Sequence, residues 1–109
     1  MIEIKIKPLS VNQAWQGRRY KTPKYTKYER DLLLLLPKLN DLEPPFAIDI
    51  TFFFSNVLSD IDNPLKPMLD VIQKKYSIND RDVYELNVKK VVVKKGCDKI
   101  EFKIRSKIY

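Results

Sequence analysis

Across the first seven residues, Ile2, Ile4 and Ile6 alternate with Glu3, Lys5 and Lys7. A period of two is that of a strand with one buried and one wet face, so the chain is expected to open with a strand. The stretch PLSVNQAWQGRRYKTP, residues 8–23, then reads as a long polar connection, and connections of that length are often functional. Tyr25, Tyr28, Leu32, Leu35, Leu36 and Leu39 follow at the spacing of one helix face, and Leu33 and Leu34 widen it. Such breadth predicts a helix that is deeply buried or at a subunit contact. After Pro44-Pro45, FAIDITFFF places Ile48, Ile50, Phe52 and Phe54 on one side of a second strand and Phe53 on the other. Leu65, Met68, Leu69, Ile72 and Tyr76 predict a second helix, with Asp62 or Asn63 as its cap and Pro64 at its first position. Pro67 competes with that start, because its ring removes a backbone donor. The valine-rich segment 83–93, the turn KKGCD and the alternating KIEFKIR predict two last strands joined as an antiparallel hairpin.

The order βαβαββ predicts an α+β fold, a small mixed sheet of about four strands with two helices packed on it. At 109 residues the chain fits one domain, 1–109, that buries only about two thirds of its unfolded surface, so a partner subunit would help it. The five leucines at 32–36 fall short of a membrane span, and Lys5 and Lys7 interrupt the place of a signal peptide's apolar region. The expectation is a soluble, cytoplasmic protein without a membrane partner.

Charge narrows the function. Lys and Arg number 21 against 14 Asp and Glu, a net charge of +7, and an excess of this size on a small body favours a polyanion, nucleic acid first. The chain has no histidine, a lone Cys97 and two glycines. That excludes an intrachain disulfide, a Cys/His zinc site, a histidine-activated nucleophile, a P-loop and a GxGxxG fingerprint. An enzyme built from this chain works with Asp, Glu, Lys, Arg and Tyr, and an oxygen-only ligand set suits Mg2+, or Mn2+ as the alternative.

The chemistry concentrates in DIDNPLKPMLD, residues 60–70. On extended backbone Asp60 and Asp62 project to one side, within reach of a common cation, and SINDRD brings Asp80 and Asp82 back before the third strand. Three carboxylates from two loops would then converge, with Lys66 placed to hold a phosphate oxygen. The competing reading is structural: D-x-D-N before a helix caps it, and Lys66 pairs with Asp70 at i+4. By spacing alone the capping reading leads.

DIDNPLKPMLD followed by INDRDV and ELNVKK resembles the RusA-type Holliday junction resolvases, with their pattern D-x-D-N-x-x-K, an acid at the place of Asp70 and a D-D pair before a strand. PLSVNQAW is similar to the family's P-S-x-N segment, and GRRYKTPKYTKY to its basic loop entering the first helix. The resemblance implies a single RusA-like endonuclease domain acting as a homodimer on four-way DNA junctions. It implies paired nicks in recombination and repair that leave 5'-phosphate and 3'-hydroxyl ends. It makes Asp60, Asp62 and Asp80 the metal-binding acids and Lys66 the catalytic lysine, with Asn63, Asp70 and Asn79 supporting. The chain departs from the pattern at Asn79, where the family often has an acid, and in the turn before it, which lacks the usual glycine. Arg18, Arg19, Lys21, Lys24 and Lys27, interleaved with Tyr20 and Tyr25, form a candidate DNA-gripping segment. Trp15 is expected in the core and Cys97 as a free thiol. The alternative is a non-catalytic, basic DNA-binding protein whose acids are structural.

Overall fold

The computed structural model describes residues 1–10, 15–16, 20–58 and 60–107, with the backbone alone described at 15, 16 and 20. The chain runs β1 (Ile2–Ile4), β2 (Trp15–Gln16), β3 (Tyr20–Lys21), α1 (Pro23–Leu35), β4 (Phe46–Phe54), α2 (Leu65–Tyr76), a 3-10 turn at Asp80–Asp82, β5 (Val83–Val92) and β6 (Lys99–Ser106). The main sheet is mixed, with strand order β1-β6-β4-β5. With the two α-helices among the described residues it is the α+β fold expected from the periodicity.

The most apolar strand sits centrally. Ile48, Ile50, Phe52 and Phe54 of β4 join the core, while Ala47 and Thr51 on the opposite face are also buried. A strand buried on both faces is stable only between two neighbours, and that decides the end of the chain. β5 and β6 do not form the expected hairpin: they flank β4, which pairs with β5 in parallel and with β6 in antiparallel. The connection between them passes the end of β4, where the Val93 N–H donates to the Phe54 carbonyl at 2.7 Å and the Ser55 N–H to Asp98 Oδ2 at 3.4 Å.

α1 starts where Thr22 Oγ1 accepts the Tyr25 N–H at 3.2 Å, with Pro23 in its first turn. It stops before Leu39, because Pro37 disfavours helical backbone at Leu36, which is extended. Leu39 still packs on the core from outside the helix. The predicted breadth of the leucine face is not all covered within the chain: Leu32 and Leu36 are buried, whereas Leu34 is 80% exposed.

α2 begins at Leu65, with Pro64 at the cap position instead of inside the helix. Pro67 then lies in the first turn, where its missing N–H would have had no intrahelical acceptor. Both prolines are buried with Met68, Val71 and Ile72, so the prolines anchor the helix start to the core. Phe52, Phe102, Tyr25, Leu32, Met68 and Ile72 form the centre of that core, each side chain contributing roughly 1.5–3 kcal/mol by leaving water.

Within the segment expected as an irregular connection, β2 and β3 pair antiparallel, Trp15 opposite Lys21 and Gln16 opposite Tyr20. The Trp15 side chain, expected in the core, lies outside the described residues, as do Arg18 and Arg19. Cys97 is an exposed free thiol. No helix among the described residues is long and apolar enough to cross a membrane.

Candidate active site

The acidic loop is held by its backbone. The Asn63 N–H donates to the Asp60 carbonyl and the Leu65 N–H to the Asp62 carbonyl, both at 3.2 Å, giving successive turns pinned by buried Pro64. The side chains of Asp60 and Asp62 are exposed, and Asn63 is half-buried. None of them caps α2, whose first turn has no side-chain acceptor. This overturns the expected Asp62 or Asn63 cap: the cap position falls to Pro64, which has no polar side chain. The two carboxylates stand just ahead of the helix N-terminus, whose partial positive charge favours anions there.

Lys66 and Asp70 lie on the next turns of α2. Lys66 Nζ is 3.6 Å from Asp70 Oδ1, the i,i+4 pairing that the structural reading anticipates. Asp70 Oδ2 also accepts the Tyr25 hydroxyl at 3.2 Å, so one carboxylate ties α1 to α2 and faces Lys66. Burial first, and then the Asp70 charge, push the Tyr25 hydroxyl far above the usual tyrosine range, so at neutral pH it is a proton donor.

Asp80 opens the 3-10 turn before β5, and its Oδ1 accepts from Gln73 Nε2 of α2. The Asn79 side chain accepts the Arg81 N–H at 3.2 Å. That bond fixes the turn with the residue that stands in place of the family's acid. Asn79, Asp80 and Arg81 are exposed.

The two acidic groups do not meet within one chain. In the parallel pair β4–β5, Phe46 is level with Val83 and Phe54 with Val92. Asp60 and Asp62 follow the Phe54 end, whereas Asp80 and Asp82 precede the Val83 end. α2 carries the chain back between those ends, about 17 Å at a rise of ~1.5 Å per residue. Among the described residues, no three His, Cys, Asp or Glu side chains group closely enough to hold a metal ion. The three carboxylates expected to converge thus stand on loops that leave opposite ends of the β4–β5 pair. A helical crossover between parallel strands must leave one end of the sheet and re-enter at the other. The oxygen donors suit a hard divalent cation in kind, but a single chain does not bring them together.

Of the candidate DNA-contacting residues, Lys24 and Lys27 are exposed on the first turns of α1 and line a cleft with Lys7. Lys21 is bound up in the chain: its Nζ is 2.7 Å from Glu29 Oε2 and 5.1 Å from the centre of the Tyr25 ring. Glu29 also receives Lys74 of α2 at 2.6 Å, and these two hydrogen bonds hold its carboxyl below the usual glutamate range. Gln73 and Glu29 are contributors that the sequence did not reveal, and Tyr25, read there as a ring of the DNA-gripping segment, is instead buried and donates to Asp70. Tyr25 and Glu29 are each 45 residues from their α2 partners, Asp70 and Lys74, and no local spacing connects them.

No curated protein sequence matches the chain. The family described as endodeoxyribonuclease RusA matches residues 5–105, a span that starts just after β1 and includes the acidic loop, α1, α2 and the 3-10 turn. With nearly the whole length matched, the chain belongs to the RusA endodeoxyribonuclease family.

Proposed function

We propose that two copies of this chain act together as a divalent-metal-dependent endodeoxyribonuclease that resolves four-way DNA junctions by paired nicks, leaving 5'-phosphate and 3'-hydroxyl ends. The observation that carries the reading is the pair of exposed carboxylates at Asp60 and Asp62, on a backbone fixed by its own turns and without a capping role. Repelling acids in a chain of net charge +7 fit a site for a cation that meets DNA phosphate.

Asp60 and Asp62 of one chain, with Asp80 from the other, would hold Mg2+ or Mn2+, and two such sites form across a two-fold axis. The separation of the acids within one chain supports this sharing. Bound there, the ion supplies Lewis-acid polarisation of the phosphate and lowers the pKa of a water. The chain's own residues do the rest. Lys66 offers its ammonium to a phosphate oxygen as charge builds on it. Asp70 positions Lys66, and Tyr25 positions Asp70. Lys7, Lys24 and Lys27 contact backbone phosphates, with Arg18 and Arg19 from the β2–β3 segment.

The test is a synthetic four-way junction incubated with and without Mg2+, paired with calorimetric titration of Mg2+ or Mn2+ into the protein. Symmetric nicking that stops in excess chelator, with ion binding lost in Asp60→Asn, supports the proposal; cutting undiminished by chelator refutes it. A second reading, a basic DNA-binding protein with structural acids, is favoured by the Lys66–Asp70 pair and the Gln73–Asp80 bond. It predicts junction binding without cleavage under every ionic condition.

A further inference from the structure

β1, β4 and β5 all run the same way through the sheet, because β6 is antiparallel to both β1 and β4 while β5 is parallel to β4. The chain therefore leaves all three strands at one end. The segment after β4 carries Asp60 and Asp62, the segment after β1 carries Lys5 and Lys7, and the segment after β5 carries Lys94 and Lys95. All four lysines are exposed, and none of them has a carboxylate partner among the described residues. By contrast, Lys21, Lys66, Lys74 and Lys99 each meet an acid. At the other end of the sheet, Glu85 engages both Arg105 and Lys107. Unpaired cations on two separate segments thus stand at the sheet end from which the acidic loop departs.

The β5–β6 turn that presents Lys94 and Lys95 is fixed at every step. The Cys97 N–H donates to the Lys94 carbonyl at 3.0 Å and closes a four-residue turn. Its third residue, Gly96, takes a φ of +90°, which a residue with a side chain rarely adopts. On one side of the turn the Val93 N–H donates to the Phe54 carbonyl at 2.7 Å, and on the other Asp98 Oδ2 accepts the Ser55 N–H at 3.4 Å. Phe54 and Ser55 are where β4 ends and the segment toward Asp60 begins. The turn is therefore clipped over the root of the acidic loop, and its backbone has little left to order when a ligand binds.

We propose that Lys94 and Lys95 form a phosphate clamp, which holds the sugar-phosphate backbone of the DNA at the acidic loop. The clamp rests on the nuclease reading above for the identity of the polyanion and adds a second grip to it, on a segment remote in sequence from Lys24 and Lys27. Asp60 and Asp62 repel a phosphate that approaches them, so backbone contact there needs positive charge close by. The turn supplies it without breaking an ion pair within the chain. Ammonium groups on a backbone make contacts that position the duplex and carry no sequence information, so the clamp sets affinity and placement and leaves the choice of bases to other groups.

The test is the salt dependence of binding to a synthetic four-way junction, read by fluorescence anisotropy in excess chelator so that no strand is cut. A lysine on a phosphate displaces about one counterion, so Lys94→Ala and Lys95→Ala should each reduce the slope of log affinity against log salt by about 1 for each bound copy of the chain. The double variant should lose about 2. Lys94→Arg combined with Lys95→Arg keeps both charges and should keep the parent's slope. The control is Lys38→Ala combined with Lys103→Ala, which removes the same charge from exposed residues past the end of α1 and level with Asp49 in mid-sheet; its slope should match the parent's. An unchanged slope in the Lys94→Ala, Lys95→Ala double variant, an equal loss in the control, or a loss in the arginine variant would each overturn the clamp. A parent chain that shows the expected slopes but never cuts the junction with Mg2+ would sink the nuclease reading and leave the clamp standing. Metal-dependent nicking with no change of slope would do the reverse.

Discussion

Asp62 and Tyr25 divide the residue-scale chemistry between them. Asp62 is exposed and bonds through its backbone carbonyl, so changing its side chain leaves the turn intact. Asp62→Asn is expected to lower junction cleavage by about 100-fold or more, at least the loss seen when groups supporting a metal ligand are removed. Junction affinity should stay equal or rise, because a charge that repels DNA is lost; mobility-shift and cleavage assays on one preparation separate the two. Loss of both fold and binding would instead favour a structural role. Tyr25→Phe removes the donor to Asp70 from a buried position. The expected cost is about 1–2 kcal/mol in urea unfolding, with kcat falling while KM holds, since Lys66 loses its positioning and not its charge. The motif around Asp62 was readable because all its members are within eleven residues. Tyr25 was not, because its partner is brought to it only by helix packing.

At the scale of elements, the α1–α2 contact is held by Glu29 between Lys21 and Lys74 as well as by the Tyr25–Asp70 bond. The carboxyl of Glu29 is held below its unfolded value. Its contribution is therefore fully present above the ordinary glutamate range and is lost as pH falls through the lowered folded value. Glu29→Gln is expected to be less stable than the parent by about 1 kcal/mol at pH 7, and the two melting curves should converge as pH drops well below the ordinary glutamate range. A gap that stays constant with pH would mean that packing, and not charge, makes the difference. The elements themselves were largely legible: β1, α1, β4, α2, β5 and β6 follow hydrophobic period, and Pro37 explains the early end of α1. The direction in which β5 joins the sheet was not, since a valine-rich strand reads the same in parallel and antiparallel pairing.

For the whole molecule, the opposite placement of Asp60 and Asp80 yields a test of shared sites. Asp62→Asn and Asp80→Asn dimers are each expected to be inactive, because every site carries one defect. In a mixed dimer one site collects both defects and the other has none, so mixing the two preparations should restore nicking of one strand per junction. Complete acids within one chain would leave the mixture as inactive as its components. Gel analysis of singly nicked product, after allowing subunits to exchange, distinguishes these outcomes.

The sequence by itself determined the fold class, the acidic and basic residues available, and the exclusion of histidine- and thiolate-based chemistry. All of these depend on residue identity and on spacings shorter than one helix or strand. Tertiary structure decided which end of the sheet each acidic group occupies, because only the parallel pairing of β4 and β5 across α2 separates them. It also decided that Asp62 does not cap α2, because burial of Pro64 and Pro67 fixes where that helix starts. Residues twenty apart in sequence are separated by the length of the helix that joins them, and a metal site needs them within a few ångströms.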